Sequence, residues 1–431
     1  VPASERGQAL LHAEALVEEA LAINPESVDV QFVRGLIDLR GGNYGAAESA
    51  FRRVLAARPG HHRARTQLGA LLAAQHRHGE ALVEMRAALE IDPLNPTLIG
   101  GIAELEARRG DYNGARKQLL RLLELPDVPE FAYLELFELD RAHGRFEAAL
   151  NWVEAGLVSS SHKPWLPLQI GRAGLVYADV GLADEADWFV DRTQQIAEDS
   201  DNVSPLGHVL EILWILGRHD AMAELSGRYV PPRVSQTWMM IHGGALIGTG
   251  FDDDGVRVLE PIIGSMPMID REYGRFETRL RQFLAQGLAR QGRHDDAARI
   301  LAAIEDTLVE QLDSGFGRHP WSLHALAANY ALRNERTLAL ELLERSVAAG
   351  WSEFFEFETD PRWRELQRNP RIATVGAEGR ASLVHVRERL AARHPELKRL
   401  VVRAMSAHGE VVKGGDPLPQ TDSSLLVPEK E

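Results

Sequence analysis

Hydrophobic positions recur at helical spacing in segments of about a dozen residues, and glycine or proline separates these segments. In residues 28–61, Gly42 ends a first apolar-periodic segment and a second one runs over residues 46–57. Pro59 closes the second segment, because proline lacks the amide hydrogen and clashes with the preceding turn. The pattern predicts two amphipathic helices joined by a tight turn. The apolar residues of the first segment are Phe32, Val33, Leu36 and Leu39.

This helix pair recurs along the chain. Residues 42, 76, 110 and 144 hold the same turn position in four successive copies, 34 residues apart, with glycine in three of them and His76 in the second. Later turn positions follow at looser steps of 33 to 42 residues, at Gly181, Gly217, Gly250, Gly292 and Asn334. A fixed period of this length predicts stacked helix pairs, since one pair cannot bury its apolar faces alone.

Small and large apolar residues hold fixed places within the period. Glycine or alanine stands at the eighth position, alanine at the twentieth and a large apolar residue at the twenty-fourth. The alanines are Ala47, Ala81, Ala115 and Ala149, and we expect them where paired helices touch. This pattern resembles the tetratricopeptide repeat. The resemblance implies an all-α solenoid, a right-handed superhelix of antiparallel helix pairs with a concave groove.

The resemblance also suggests how the chain is organised. Residues 1–27 hold a leading helix, expected from Gln8 to Ile23, and residues 28–157 hold four well-matched repeats. Residues 158–350 hold five degenerate repeats. Residues 351–407, an aromatic loop and two helices divided at Pro395, are expected to cap the last repeat, because a solenoid ends in an exposed apolar face. The polar tail, residues 408–431, is expected to be mobile.

A second resemblance concerns the C-terminal part. Residues 340–351, 360–363 and 369–371 are similar to the end of the repeat region in bacterial membrane-anchored winged-helix regulators and adenylate cyclase-like signalling proteins. The resemblance implies a sensing role for the repeats, with a DNA-binding or catalytic domain upstream, usually before a membrane helix. The compartment stays open, with the periplasmic side of a bacterial membrane slightly favoured.

Charge narrows the choice of partners. Residues 127–275 hold 11 basic and 24 acidic side chains, which accounts for most of the net charge of −15. Such a surface disfavours nucleic acid, since phosphate binding needs cationic faces. Residues 373–407 hold seven basic and three acidic side chains, which suits either a docking helix or a solvated outer face. Residues 234–251 carry no charge, but four glycines and several polar residues argue against a membrane span there.

The sequence shows no self-contained catalytic, cofactor-binding or metal-binding constellation. The chain has no cysteine, which excludes thiol nucleophiles and thiolate metal sites. Most histidines follow the repeat, as in Arg218-His219-Asp220 and Arg293-His294-Asp295, where an exposed polar turn is expected. The acidic run 252–254 lacks the spacing of a calcium loop and is better explained as a helix N-terminus. We therefore expect that the chain is not an enzyme and binds no cofactor.

The repeat family uses the concave side of each first helix to bind partners. Carried onto this sequence, the family's groove positions predict a mixed apolar and arginine surface for an extended peptide or a partner helix. Neighbouring repeats could equally cover these residues. Chaperone-tail binding is excluded, because Phe32 and Leu36 stand where that clamp needs Lys and Asn. The main candidates are Phe32, Leu36, Arg40, Arg63, Glu104, Arg108, Phe131, Leu134, Glu138 and Arg141, followed by Thr66, Arg279, Gln282 and Arg290.

These observations favour a noncatalytic protein-interaction or sensing module of a bacterial signalling protein. Two alternatives remain: a scaffold subunit of an envelope or membrane complex, and the accessory repeat region of an enzyme whose catalytic domain lies upstream or in a partner. The expected partner is a protein or peptide and not nucleic acid, and no transmembrane span is expected in this chain. The sequence leaves the oligomeric state open.

Overall fold

The computed structural model describes residues 3–75, 77–159, 165–200, 205–228, 236–264, 272–313, 315 and 320–407. All regular elements within these ranges are helical. The expected polar tail after Ala407 and the turn residue His76 lie outside the described residues.

A leading helix, α1 (Ala3–Ile23), precedes nine helix pairs in the described part of the chain. It begins five residues earlier than the sequence predicts. The all-α architecture of successive helix pairs is confirmed. The pairs are α2 (Val28–Arg40) with α3 (Tyr44–Ala57), α4 (His62–Ala74) with α5 (His78–Ile91), α6 (Pro96–Arg108) with α7 (Tyr112–Leu122), α8 (Phe131–Ala142) with α9 (Phe146–Ser159), α10 (Leu166–Asp179) with α11 (Ala183–Ser200), α12 (Leu206–Ile215) with α13 (His219–Arg228), α14 (Gln236–Thr249) with α15 (Asp252–Ile263), α16 (Glu272–Arg290) with α17 (His294–Asp313), and α18 (Pro320–Leu332) with α19 (Arg336–Ala348).

The turns inside the pairs share one backbone device. A left-handed residue ends the first helix, because positive φ breaks the helical hydrogen-bond pattern and glycine adopts it without strain. The predicted turn positions that the structure describes all have this conformation, Asn334 included, at a φ of 60°. They are Gly42, Gly110, Gly144, Gly181, Gly217, Gly250, Gly292 and Asn334.

Small residues allow the paired helices to pack closely. The repeat alanines at 47, 81, 115 and 149 are completely buried, as predicted. A Cβ atom built on Gly35 of α2 would lie only 2.6 Å from the Phe51 ring of α3, far inside normal contact distance. The bare backbone at Gly35 therefore gives Phe51 its place in the core.

The chain divides into two compact units, each built from two separate segments. The first compact unit combines Val1–His143 with Glu260–Trp351, and the second combines Gly144–Leu259 with Ser352–Glu431. The last segment holds α20 (Phe354–Thr359), a 3₁₀ turn (Pro361–Trp363), α21 (Pro370–Ser382) and α22 (Val384–Ala407). We call its described part, residues 352–407, the C-terminal strap.

The strap differs from the sequence expectation at Pro395. Pro395 does not divide it, because α22 runs through this exposed residue as one helix. Trp351, the residue before the strap, stacks on His324 of α18, and the two ring centroids lie 4.2 Å apart. From Ser352 onward the strap packs on helices α9, α10 and α12, which belong to the middle repeats of the second compact unit. These repeats are strongly acidic, whereas α22 is basic.

Candidate protein-interaction surfaces

Phe32 is a core residue, which corrects its expected role as an exposed groove residue. Its side chain is only 7% exposed. The ring lies 4.9 Å from the His61 ring and 6.0 Å from the Phe51 ring, centroid to centroid. A large apolar ring at this place fills the space between two successive helix pairs, so burial there is more favourable than exposure.

Arg141 is likewise not an exposed anchor. It is 6% exposed at the end of α8, and its guanidinium lies 3.9 Å from the Glu138 carboxylate one helical turn earlier. A buried guanidinium needs paired acceptors, because an uncompensated buried charge is strongly destabilising. Arg141 therefore belongs to the internal polar contacts of the first compact unit.

The remaining predicted groove residues lie at or near the surface of the same unit. Arg63 is exposed, and its guanidinium lies 5.3 Å above the Phe32 ring, a cation–π contact. Glu104 is exposed and pairs with Arg108 four residues later, at 2.9 Å. Arg40 is exposed, whereas Leu36, Phe131, Leu134 and Glu138 are half-buried. The first helices α2, α4, α6 and α8 thus carry a set of accessible charged and apolar side chains.

The later predicted positions divide in the same manner. Gln282 is completely buried, and its amide donates to the Ala325 carbonyl at 2.8 Å. Arg279 is also buried, whereas Arg290 is exposed and Thr66 half-buried. Gln282 thus joins α16 to α18, and neither it nor Arg279 is exposed to an outside ligand.

A serine–histidine pair that the sequence analysis did not predict lies between α13 and α14. The Ser226 hydroxyl and the Nδ1 atom of His242 are 2.8 Å apart. Ser226 is completely buried, and its hydroxyl donates to the Met222 carbonyl of its own helix at 2.7 Å. Burial lowers the pKa of His242, which favours the neutral ring. No substrate can reach such a hydroxyl, so the pair joins two helices.

In the part of the chain that the structure describes, no group of three or more histidine or acidic side chains could hold a metal ion. Within the same residues, no helix combines the length and apolarity needed to cross a bilayer.

The strap begins by crossing three consecutive turns of the middle repeats. A Cβ atom built on Gly144 would lie 2.8 Å from Ser352 Oγ, and one on Gly217 would lie 2.6 Å from Thr359 Cβ. At Gly181 the Phe355 ring occupies the place of the missing Cβ atom. By comparison, the equivalent turns at Gly42, Gly250 and Gly292 have nothing within 4 Å of that place.

Helix α22 then lies along α9 and is held there by arginines. Arg389 Nε donates to the Glu147 carboxylate at 2.8 Å. Arg393 donates to Glu154 and to Asn151, each at 2.8 Å. The three acceptors lie on one face of α9, at spacings of four and three residues. The basic C-terminal segment and the acidic middle segment seen in the sequence therefore pair with each other within this chain.

The apolar side of the same contact is aromatic. The His394 ring lies 5.1 Å from the Tyr177 ring of α10 and 5.6 Å from the Phe189 ring of α11. Lys398 Nζ lies 5.0 Å from the Trp188 ring, and the Tyr177 hydroxyl donates to the Leu390 carbonyl at 3.2 Å. Burial, with Lys398 nearby, lowers the pKa of His394, so the docked ring is neutral near pH 7.

We call the face formed by Glu147, Asn151, Glu154, Tyr177, Trp188 and Phe189 the acidic–aromatic face. None of its residues is among the binding positions that the repeat pattern predicts. Its two signals were present, namely the excess of acid in residues 127–275 and the excess of base in residues 373–407. Which two helices meet, however, depends on packing between segments more than 200 residues apart, such as Arg389 with Glu147.

The repeats show one sequence-family match. Residues 72–135 match the profile of the tetratricopeptide repeat, and this match covers α5, α6, α7 and their flanks. No curated protein matches the chain. Residues 72–135 therefore carry tetratricopeptide repeats, a fold typical of protein–protein interaction modules, and the expected resemblance of the C-terminal part to winged-helix regulators or cyclase-like proteins is not shown by these matches.

Several solved structures are similar at low sequence identity. A tetratricopeptide repeat protein from Parabacteroides merdae is 14% identical, with a TM-score of 0.47 over 61% of this chain and 99% of that one. The pilF protein of Pseudomonas aeruginosa is 17% identical, with a TM-score of 0.37 over 44% of this chain and 86% of that one. MamA protein is 16% identical, with a TM-score of 0.34 over 49% of this chain and all of that one.

Proposed function

Because the chain contains tetratricopeptide repeats, we propose that it is a noncatalytic interaction module whose first helices in the first four pairs bind a peptide or partner protein. One observation carries this proposal. The first helices of these pairs leave charged side chains accessible beside apolar ones, although Phe32 and Arg141 are buried.

The accessible set suits a segment of mixed character. Arg40 and Arg63 would pair with acidic groups, Glu104 would pair with a basic group, and half-buried Leu36 and Phe131 would contact apolar side chains. Partly buried aromatic residues and arginines are the usual energetic centres of interfaces, since they bury much area for little lost entropy. A sensing role in a bacterial signalling protein, on the periplasmic side of a membrane, is the setting that we propose for this binding.

Site-specific photocrosslinking in cells tests the proposal. A photoreactive residue at Glu104, on the first helix α6, is compared with one at Lys117, on the second helix α7; both positions are exposed. We expect one discrete crosslinked protein from position 104 and none from 117. Crosslinks from position 117 alone would place the interface on the second helices and contradict the proposal.

Charge reversal supplies an independent measurement. Arg63→Glu should weaken recovery of the protein crosslinked at 104, because it removes a cation from the accessible surface. Arg53→Glu, an exposed arginine on the second helix α3, is the matched control. Equal recovery from both variants would contradict a groove on the first helices.

A further inference from the structure

We propose that the acidic–aromatic face is a second interaction surface, which takes a basic amphipathic helix of a partner in place of the chain's own α22. This surface is formed by residues of α9, α10 and α11 and shares no residue with the first-helix set of the preceding proposal. The docked α22 shows what the face recognises, because it is itself a helix of that kind.

The arginines of α22 show which charges a partner helix must carry on the side that faces α9. Arg389 and Arg393 are four residues apart on α22, and they reach Glu147 and Glu154 on α9. Residues four apart lie on the same side of a helix, so two basic residues at this spacing meet two acids at a spacing of seven. A partner helix needs the same pair of cations.

The apolar positions define the other edge. Leu390, Leu397, Val401 and Met405 of α22 are buried, at spacings of seven, four and four residues. His394 enters the aromatic cluster of Tyr177 and Phe189, and Lys398 covers Trp188. The fitting ligand is therefore a helix with an apolar stripe, an aromatic or neutral imidazole ring in its middle and a cation one turn further on.

The contact is suited to exchange. The Arg389 side chain is 57% exposed and that of Glu147 is 36% exposed. Ion pairs with this exposure are individually weak and are screened by salt. A partner helix that supplies the same charges and the same buried apolar stripe can thus compete with α22, and the strap acts as the resident occupant of the face.

A synthetic peptide of residues 384–407, labelled with a fluorophore, serves as the probe, and the full chain is the receptor. The wild-type chain should bind it weakly, because α22 fills the face. Arg389→Glu combined with Arg393→Glu should expose α22 to amide exchange and tighten peptide binding at least about tenfold. The matched control combines Arg399→Glu with Arg403→Glu, two exposed residues of the same helix, and should behave as wild type.

Charge swapping identifies the face itself. Adding Glu147→Arg and Glu154→Arg to the released chain should abolish binding of the native peptide and restore the protection of α22 from amide exchange, because the glutamates introduced at 389 and 393 can again pair with cations on α9. Unchanged circular dichroism and unchanged exchange in α2–α7 exclude misfolding as the cause.

Three results would overturn the proposal. These are an α22 that stays protected after Arg389→Glu and Arg393→Glu, a released chain that does not bind the peptide, and equal peptide binding by the wild-type chain. Concentration-dependent dimerisation with exchange of α22 would assign the face to a second copy of this chain and would also overturn the choice of a partner helix.

Discussion

At the scale of single residues, side-chain size at a few repeat positions determines how closely the helices pack. Alanine at 47, 81, 115 and 149 and glycine at 35 and 69 leave room for the larger side chains of the facing helix. Met85 occupies that room opposite Gly69, as Phe51 does opposite Gly35. Interiors of this density respond to a single added methylene group.

We expect Ala81→Leu to lower the free energy of unfolding by about 1–3 kcal/mol, because the added atoms overpack the completely buried contact between α4 and α5. Urea denaturation measures the change. Ala70→Leu, at an exposed position of α4, is the control and should stay within about 0.5 kcal/mol of wild type. Equal midpoints for the two variants would show that the repeat register is not the one described.

Some of these residues could be predicted from the sequence, and others could not. The turn residues and the buried alanines were predictable, because local backbone geometry and contact between adjacent helices dictate them. Phe32 and Arg141 were not, since the equivalent positions of other repeats are half-buried, as at Leu134 and Ala107, whereas these two residues are buried. Whether Arg141 is accessible depends on its neighbours in space, which one period of the sequence does not contain.

At the scale of elements, the strap gives three turn glycines a second purpose. At Gly42 and Gly292 the absence of a side chain only permits the positive φ of the turn. At Gly144, Gly181 and Gly217 it also leaves space for the strap. The sequence treats these glycines alike. From the sequence we also expect a helix to end at Pro395. Helix α22 nevertheless continues through this proline, because the apolar residues before and after it form one buried stripe.

The substitutions Gly181→Ala and Gly292→Ala distinguish the need for positive φ from the need for space beneath the strap. Both glycines have positive φ, 73° and 80°, so alanine should cost about 1–2 kcal/mol of backbone strain at either place. Only the Gly181 variant also collides with Phe355. We therefore expect limited proteolysis to cleave within residues 352–383 faster in Gly181→Ala and at the wild-type rate in Gly292→Ala. Equal cleavage rates would show that Phe355 is not held at this turn.

At the scale of the whole molecule, both compact units are built from segments that are distant in sequence. A regular solenoid is stabilised by contacts between neighbouring repeats, and its stability is nearly a sum over them. In the second compact unit, the strap adds contacts that span several repeats at once, from Gly144 to Gly217. The middle repeats therefore depend on a part of the chain that is not a repeat.

Ending the chain at Trp351 should expose Tyr177 and the other aromatic residues beneath α22. We expect amide exchange in α9–α11 to accelerate about tenfold or more, because these helices lose the stabilising contacts of α22. Exchange in α2–α7 should not change. A chain that ends at Ala407 keeps all described helices and is the control. Unaltered exchange in α9–α11 would mean that the strap does not stabilise them.

The distance along the chain between Glu147 and Arg389 has a consequence for synthesis on the ribosome. The two residues are 242 positions apart. At typical rates of about 5–20 residues per second, roughly 10 to 50 s separate the emergence of α9 from that of the helix that covers it. During this interval a nascent chain presents acidic and aromatic side chains without their own ligand. The order of translation thus makes the newly made protein more receptive to a foreign basic helix, or to a chaperone, than the finished one.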